Sequence, residues 1–230
     1  MGARWFLIEQ HWGRLAHRIP HACSRQGVKA YGVRDLVVMS AMLSDIDAAL
    51  RGKLIIVTGG GSGIGAAIVD CLEGQGARVI YTDIRPVGRQ RVRAEADFFE
   101  QDVGDPASWK ALEAFVIGKY GKLDGLVNNA VARPMKNPDA PLADWAASMQ
   151  TNATGLFAIS RAFGAAMAER GSGSIVNVGS IQGMVGPDFS LYEGLNMQAI
   201  PDYFFHKAGM VNLTKFFAAR YGPQGVRVNC

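Results

Sequence analysis

Tyr203 and Lys207 stand four residues apart in the run Tyr203-Phe-Phe-His-Lys207. On a helix that step advances roughly 6 Å and returns to the same face, so a phenol and an ammonium project together. A free phenol, with a pKa of about 10, is a poor base near neutrality. A neighbouring cation stabilises the phenolate and makes it a usable proton donor and acceptor. Such a pair suits the reduction of a ketone or the oxidation of an alcohol, where a hydroxyl proton moves as a hydride moves. Ser180 follows the apolar stretch Ser174–Gly179, so its hydroxyl is expected at the carboxyl end of a strand. Tyr192 is a rival phenol, but position 196 is Asn and supplies no cation. His206 points roughly 100° away from Lys207 around a helix and reads as a structural or surface residue.

A hydride needs a carrier, and the run Thr58-Gly-Gly-Gly-Ser-Gly-Ile-Gly65 could hold one. It sits between a short apolar run and a helical pattern. There a pyrophosphate can approach backbone N–H groups at a helix N-terminus only if side chains leave room. Gly59 would make the tight turn, Gly63 the close approach and Gly65 the contact between helix and strand; Ser62 and Ile64 complete the loop. No Gly-Lys-Ser/Thr follows, which disfavours a nucleoside-triphosphate P-loop. Asp83 lies eighteen residues past Gly65 at the end of the next apolar run, about where an acid would accept from the adenosine ribose hydroxyls. A carboxylate there repels a 2′-phosphate, and Ser62 puts no basic residue in the loop, so the reading is NAD over NADP. Arg85 is a counter-signal.

The elements that must position these residues alternate in type. Leu54–Thr58, Arg78–Thr82, Phe98–Gln101, Leu123–Asn128, Ser174–Gly179 and Val226–Asn229 read as strands. Gly63–Glu73, with Ile64, Ile68 and Leu72 at helical spacing, reads as a helix, as do Pro106–Lys119, Leu142–Ala168 and Tyr203–Tyr221. This succession implies an α/β fold in which a parallel sheet is doubly wound by crossover helices. Asp83, Asn128-Asn129 and Ser180 would then meet at the carboxyl edge of the sheet, where open α/β folds bind ligands.

Composition narrows the classes. Of 230 residues, 49% are apolar and 19% charged, enough for a sizeable core. Residues 1–40 hold six Lys/Arg against two Asp/Glu, and the remainder holds eighteen of each, so the net charge of +4 belongs to the N-terminal stretch. The body therefore shows no bias toward nucleic acid. Leu54–Val69 and Gly171–Pro187 are uncharged or nearly so but glycine-interrupted, which argues against a membrane span. Three scattered cysteines, Cys23, Cys71 and Cys230, suit neither a disulfide framework nor a metal site and point to a reducing, cytoplasmic setting. Residues 1–50 read as an N-terminal extension. It is either a targeting peptide or a non-native leader with the true start at Met39 or Met42. Residues 51–230 form the nucleotide-binding domain.

Together the glycine run at 58–65, Asp102-Val103, Asn128-Asn129-Ala130, Asn152, Ser180 and Tyr203-Phe-Phe-His-Lys207 resemble the short-chain dehydrogenase/reductase family from about Leu50 to Cys230. The resemblance implies a Rossmann-type domain and hydride transfer between NAD(H) and a secondary alcohol or ketone. It implies that Tyr203 is the acid/base, that Lys207 lowers its pKa and holds the nicotinamide ribose, and that Ser180 binds the substrate oxygen. Asn152 would support a proton-relay water, Asp102 and Val103 would contact adenine, and Asn129 and Ala130 would pass under the cofactor. It further implies a small-molecule partner and a homodimer or homotetramer through the two long helices. Small residues at Ala162, Gly164, Ala165 and Ala166 would permit that packing, although internal packing explains them equally.

Three departures stand out. Val131 replaces a usual glycine. The Ser180–Tyr203 spacing of 23 positions is longer than usual. In the extra stretch Phe189, Tyr192 and Met197 would wall the pocket and Glu193 and Asn196 would bind hydroxyls, which suits a polyol or sugar acid. Finally, the chain stops at Cys230 where relatives continue through a nicotinamide clamp, a substrate lid and a last strand, so it reads as a truncated member. The alternative is a non-catalytic nucleotide-binding or interaction protein left by that loss.

Overall fold

The structure is a computed structural model and describes residues 49–85, 96–195 and 197–230. The expected extension lies outside the described residues apart from 49–50, as does Asn196. Six strands form one sheet: β1 (Leu54–Thr58), β2 (Arg78–Asp83), β3 (Asp97–Glu100), β4 (Gly125–Asn128), β5 (Gly173–Asn177) and β6 (Val226–Asn229). Their order is β3-β2-β1-β4-β5-β6, and every neighbouring pair is parallel. From β1 the sheet builds outward to β3, and the chain then crosses back to β4 on the other side of β1. This reversal makes the β1/β4 boundary the topological switch point of a doubly wound sheet.

The helices that cross between strands are α1 (Gly63–Gly74), α2 (Pro106–Tyr120), α3 (Leu142–Met149), α4 (Leu156–Glu169) and α5 (Pro201–Tyr221). Local chemistry sets their ends. The Asp105 carboxylate accepts from the Ala107 N–H at 2.9 Å and Pro106 fills the first turn of α2, where its missing N–H leaves nothing unpaired. Gly121, at φ 67°, ends that helix in the left-handed region.

β1 is buried on both faces, which is why Leu-Ile-Ile-Val-Thr is continuously apolar rather than alternating. Leu54 and Ile56 join one core with Leu112 of α2, Phe163 of α4 and Phe217 of α5; Ile55 and Val57 join the opposite core with Val69 of α1. Each such fully buried aliphatic side chain contributes roughly 1.5–3 kcal/mol. Gly164 belongs to this internal packing, because a Cβ on it would lie 2.5 Å from the Tyr221 ring.

Three expectations are corrected. The helix over Leu142–Ala168 is broken into α3 and α4 by a π-helical turn at Gln150–Gly155, and Gly155 there sits where a Cβ would come 2.2 Å from the Val103 carbonyl. The strand expected to run to Gly179 ends at Asn177. Ile64 does not share the core face of Ile68 and Leu72; it is 66% exposed. No helix among the described residues is long and apolar enough to cross a membrane.

Candidate active site

The glycine run turns between β1 and α1. Gly59 adopts φ 64°, and a Cβ on it would sit 2.8 Å from Ala130 Cα. Gly65 is tighter: a Cβ there would lie 2.1 Å from the Gly59 carbonyl oxygen, so the close contact is between helix and loop rather than helix and strand. Gly63, at φ 53°, has open space where its Cβ would be. A Cβ on Gly60, which carried no expectation, would lie 2.6 Å from Tyr81 Cβ.

Side chains hold this loop from both flanks. Asn129 Nδ2 donates to the Thr58 and Gly59 carbonyls at 3.1 and 3.0 Å, while Thr58 Oγ1 accepts from the Asn129 and Ala130 N–H groups. Asp83 Oδ2 accepts from Gly61 N–H at 3.1 Å, and its other oxygen accepts from Ile84 N–H. Asp102 turns its carboxylate onto Gly104 N–H at 2.7 Å. Gly59, Ser62, Ile64, Gly65, Asp83, Asp102, Val103, Asn129 and Ala130 line one cleft of about 520 Å3. Gly63 is not among the lining residues, and Val131 is. This cleft could hold an extended dinucleotide along the carboxyl ends of β1, β2 and β4.

A second cavity, of about 310 Å3, gathers Ser180, Tyr203, Tyr192, Met197, Gln182 and Arg133. Ser180 lies three residues beyond β5, not at its last position. Its Oγ caps a short 3₁₀ turn, accepting from Gln182 N–H at 3.2 Å. Tyr203 occupies the first turns of α5, with Pro201 setting the helix start. The rival Tyr192 lines the same cavity and its hydroxyl accepts from Gln182 Nε2 at 3.1 Å. Phe189 lines a separate apolar groove, and neither it nor Glu193 lines the cavity, contrary to the expected wall and hydroxyl contacts.

Lys207 is buried behind Tyr203, its Nζ donating to the Val178 carbonyl and lying 5.7 Å from the Tyr203 ring centre. Burial pushes its ammonium below the usual lysine value. A third, much smaller cavity of about 10 Å3 lies between Lys207, Asn152, Asn128, Thr58 and His206. His206 is not on the surface: it is 3% exposed and meets the Tyr203 ring edge-on at 5.1 Å. Burial, and then the charge of Lys207, hold its pKa down to about 4, and neither ring nitrogen has a hydrogen-bond partner.

Asn152 sits in the π turn. Its Oδ1 accepts from Ala132 N–H at 2.9 Å, and its Nδ2 donates to the Ala132 carbonyl and to Ser148 Oγ at 2.8 and 2.9 Å. Ser148 Oγ in turn donates to Asp202 Oδ2 at 2.5 Å. Ser148, Asp202 and Asn152 are all buried. This chain ties the residue before Arg133 to the residue before Tyr203. Beneath it, Asn128 donates to Ser160 and Asn177, and Asn177 donates to Thr214, pinning β4 and β5 to α4 and α5.

Sequence reasoning missed Arg133, Gln182, Ser148 and Asp202. Arg133 lies on the loop after β4, with Cζ 5.0 Å from the Tyr203 ring centre. Only Asp202 offered a signal, as an acid in the first turn of a helix next to the candidate tyrosine.

Known proteins resemble this chain in sequence and in fold. The family model described as short chain dehydrogenase matches residues 53–230. A D-threitol dehydrogenase from Mycolicibacterium smegmatis is 36% identical over 80% of this chain and 70% of its own length. A 2,5-dichloro-2,5-cyclohexadiene-1,4-diol dehydrogenase from Sphingobium indicum is 40% identical over 78% of this chain and 71% of its own. In fold, the chain matches a short chain dehydrogenase from Leptospira borgpetersenii, solved with bound NAD+, at a TM-score of 0.72 and 24% identity, covering 92% of this chain and 76% of that one.

Proposed function

We propose that this chain, a member of the short-chain dehydrogenase family and an oxidoreductase, transfers a hydride between NAD(H), in preference to NADP(H), and a secondary alcohol or ketone that is a polyol or sugar acid. The observation that carries this is that Tyr203 and Ser180 line one cavity, with Lys207 Nζ 5.7 Å from the Tyr203 ring centre. The cofactor assignment is supported by a loop in which side chains at Gly59 and Gly65 would collide with backbone while the Gly63 side stays open. Bound along that cleft, the nicotinamide supplies the hydride acceptor or donor.

The chain's own residues then do the rest. The Tyr203 hydroxyl takes the proton from a substrate hydroxyl, or returns it to a ketone oxygen. Lys207, charged and within 5.7 Å of the ring, favours the phenolate as it forms. Ser180 donates to the substrate oxygen and fixes its distance from Tyr203. Asn152 spends its side chain on Ala132 and Ser148, so its part is to shape the π turn. The cavity of about 10 Å3 beside it and Lys207 matches a single relay water. Asp83, which braces Gly61, would accept from the adenosine ribose of a bound cofactor, and a 2′-phosphate would meet its charge.

The test is a titration with NADH and NADPH of wild type and of Asp83→Ser, followed by turnover over a polyol and sugar-acid panel. Tighter NADH binding in wild type and a narrowed preference in Asp83→Ser are expected. Equal binding of both cofactors by wild type, or binding with no turnover on any secondary alcohol, defeats the reading.

A further inference from the structure

Arg133 is the unassigned cation of the substrate cavity. It lines the same cavity as Ser180 and Tyr203, and among the described residues no carboxylate pairs with its guanidinium. The acid among the residues lining the cavity, Asp202, accepts from Ser148 at Oδ2 instead. Its neighbour Ala132 is held through both backbone groups by Asn152, so the loop carrying Arg133 is fixed at its base. The guanidinium lies against the Tyr203 ring, 5.0 Å from its centre. Contact with a ring engages a guanidinium through its π surface and leaves its five N–H donors free at the edge.

A planar fork that is exposed to the cavity, lies against a ring and has no acceptor on its N–H groups among the described residues, beside the group that handles the substrate proton, matches one kind of ligand group well. A carboxylate accepts two parallel N–H bonds from such a fork. The geometry points to a substrate that carries a carboxylate bound by Arg133, a few bonds from the carbinol carbon at Tyr203: a hydroxy acid such as an aldonate, not a neutral polyol. A single cation also matches the single charge of a carboxylate better than a phosphate dianion. Gln182 and Tyr192, already bonded to one another, remain as polar groups for the other hydroxyls. The oxidation balances within the family reaction: the carbinol C–H bond breaks and its hydride passes to the oxidised cofactor. The O–H proton passes to Tyr203, and a keto acid leaves with its carboxylate unchanged.

This inference rests on the dehydrogenase reading of the site, and its test separates the two. The kcat/KM for aldonates of four to six carbons is compared with that for alditols of matched stereochemistry, in wild type, Arg133→Lys and Arg133→Leu. Binding of the same aldonates to the NADH-loaded proteins is measured by calorimetry. Wild type should favour the acid, and Arg133→Leu should lower the acid-to-alditol ratio roughly 10- to 100-fold, with Arg133→Lys between. Because the readout is a ratio, a general loss of activity does not mimic it. Aldonate binding that is lost in Arg133→Leu, with no turnover in any variant, supports the carboxylate site and defeats the dehydrogenase reading. Alditols preferred by wild type, or an acid-to-alditol ratio unmoved by Arg133→Leu, overturns the inference.

Discussion

Replacing Ser148 by Ala should cost far more than the loss of one small hydroxyl suggests. Ser148 Oγ donates to Asp202 Oδ2 at 2.5 Å and accepts from Asn152 at 2.9 Å. A hydrogen bond to a charged group contributes about 1.5–3 kcal/mol net, and a neutral one about 0.5–1.5. Asp202 is 2% exposed, so bulk water cannot take the place of the hydroxyl. The expected destabilisation is therefore about 2–4 kcal/mol. In a domain of this size that lowers Tm by roughly 5–15 °C. Asp202→Asn keeps an acceptor for Ser148 and should cost only about 1 kcal/mol, the charge assistance. In the Asp202→Asn background, Ser148→Ala should cost at least about 1 kcal/mol less than in wild type. Urea unfolding followed by circular dichroism measures all four corners of this cycle. A Ser148→Ala change below about 0.5 kcal/mol, or strictly additive effects, would refute the buried chain that ties α3 to the start of α5.

Other outcomes follow from the same contacts. Gly65→Ala puts a methyl 2.1 Å from the Gly59 carbonyl; it should cost about 1–3 kcal/mol and weaken NADH binding at least tenfold, while Gly74→Ala, with nothing within 4 Å, should be neutral or stabilise by up to about 1 kcal/mol. Unchanged NADH affinity in Gly65→Ala would count against the cradle. His206 stays neutral in the fold down to about pH 4, whereas an unfolded histidine protonates near pH 6.5. Its folded pKa lies below its unfolded one, so stability is whole above about pH 6.5 and is lost as pH falls from there toward 4, by about 3 kcal/mol. His206→Phe should flatten that acid limb of a stability-against-pH curve; an unaltered slope would show that other groups set it.

Much of the fold was legible because the sheet is buried on both faces. Runs such as Leu54–Thr58 and Arg78–Thr82 are short, β-branched and bounded by turn residues, and two of the helices, α2 and α5, start on a first-turn proline. The break in Leu142–Ala168 was not legible. The apolar spacing resumes at Leu156 as though the helix were uninterrupted, and what accompanies the π turn is the close approach of Gly155 to Val103, a contact between distant segments. Ile64 fits the periodicity of α1 yet lies on the cleft side, because spacing alone does not tell a core from a ligand cavity. In the site, Tyr203, Lys207 and Ser180 were readable from type and order. Arg133 and Ser148 were not, since a lone basic residue on a loop and a serine in a helix gain meaning only from partners 70 and 54 positions away. For His206 the structural half of the reading holds and the surface half does not, because the helical angle separates it from Lys207 but says nothing of the Tyr203 ring it packs against.

The central claim is that Tyr203 moves the proton while a hydride passes between the substrate carbon and a nicotinamide in the cleft beside Gly59. Its most direct measurement is mass spectrometry of the cofactor after incubation with NAD+ and secondary alcohols deuterated at the carbinol carbon. Wild type should place deuterium on the reduced nicotinamide, and Tyr203→Phe should bind NAD+ with similar affinity yet transfer none. Equal transfer by Tyr203→Phe, or an unlabelled cofactor in a wild type that binds both ligands, would contradict it.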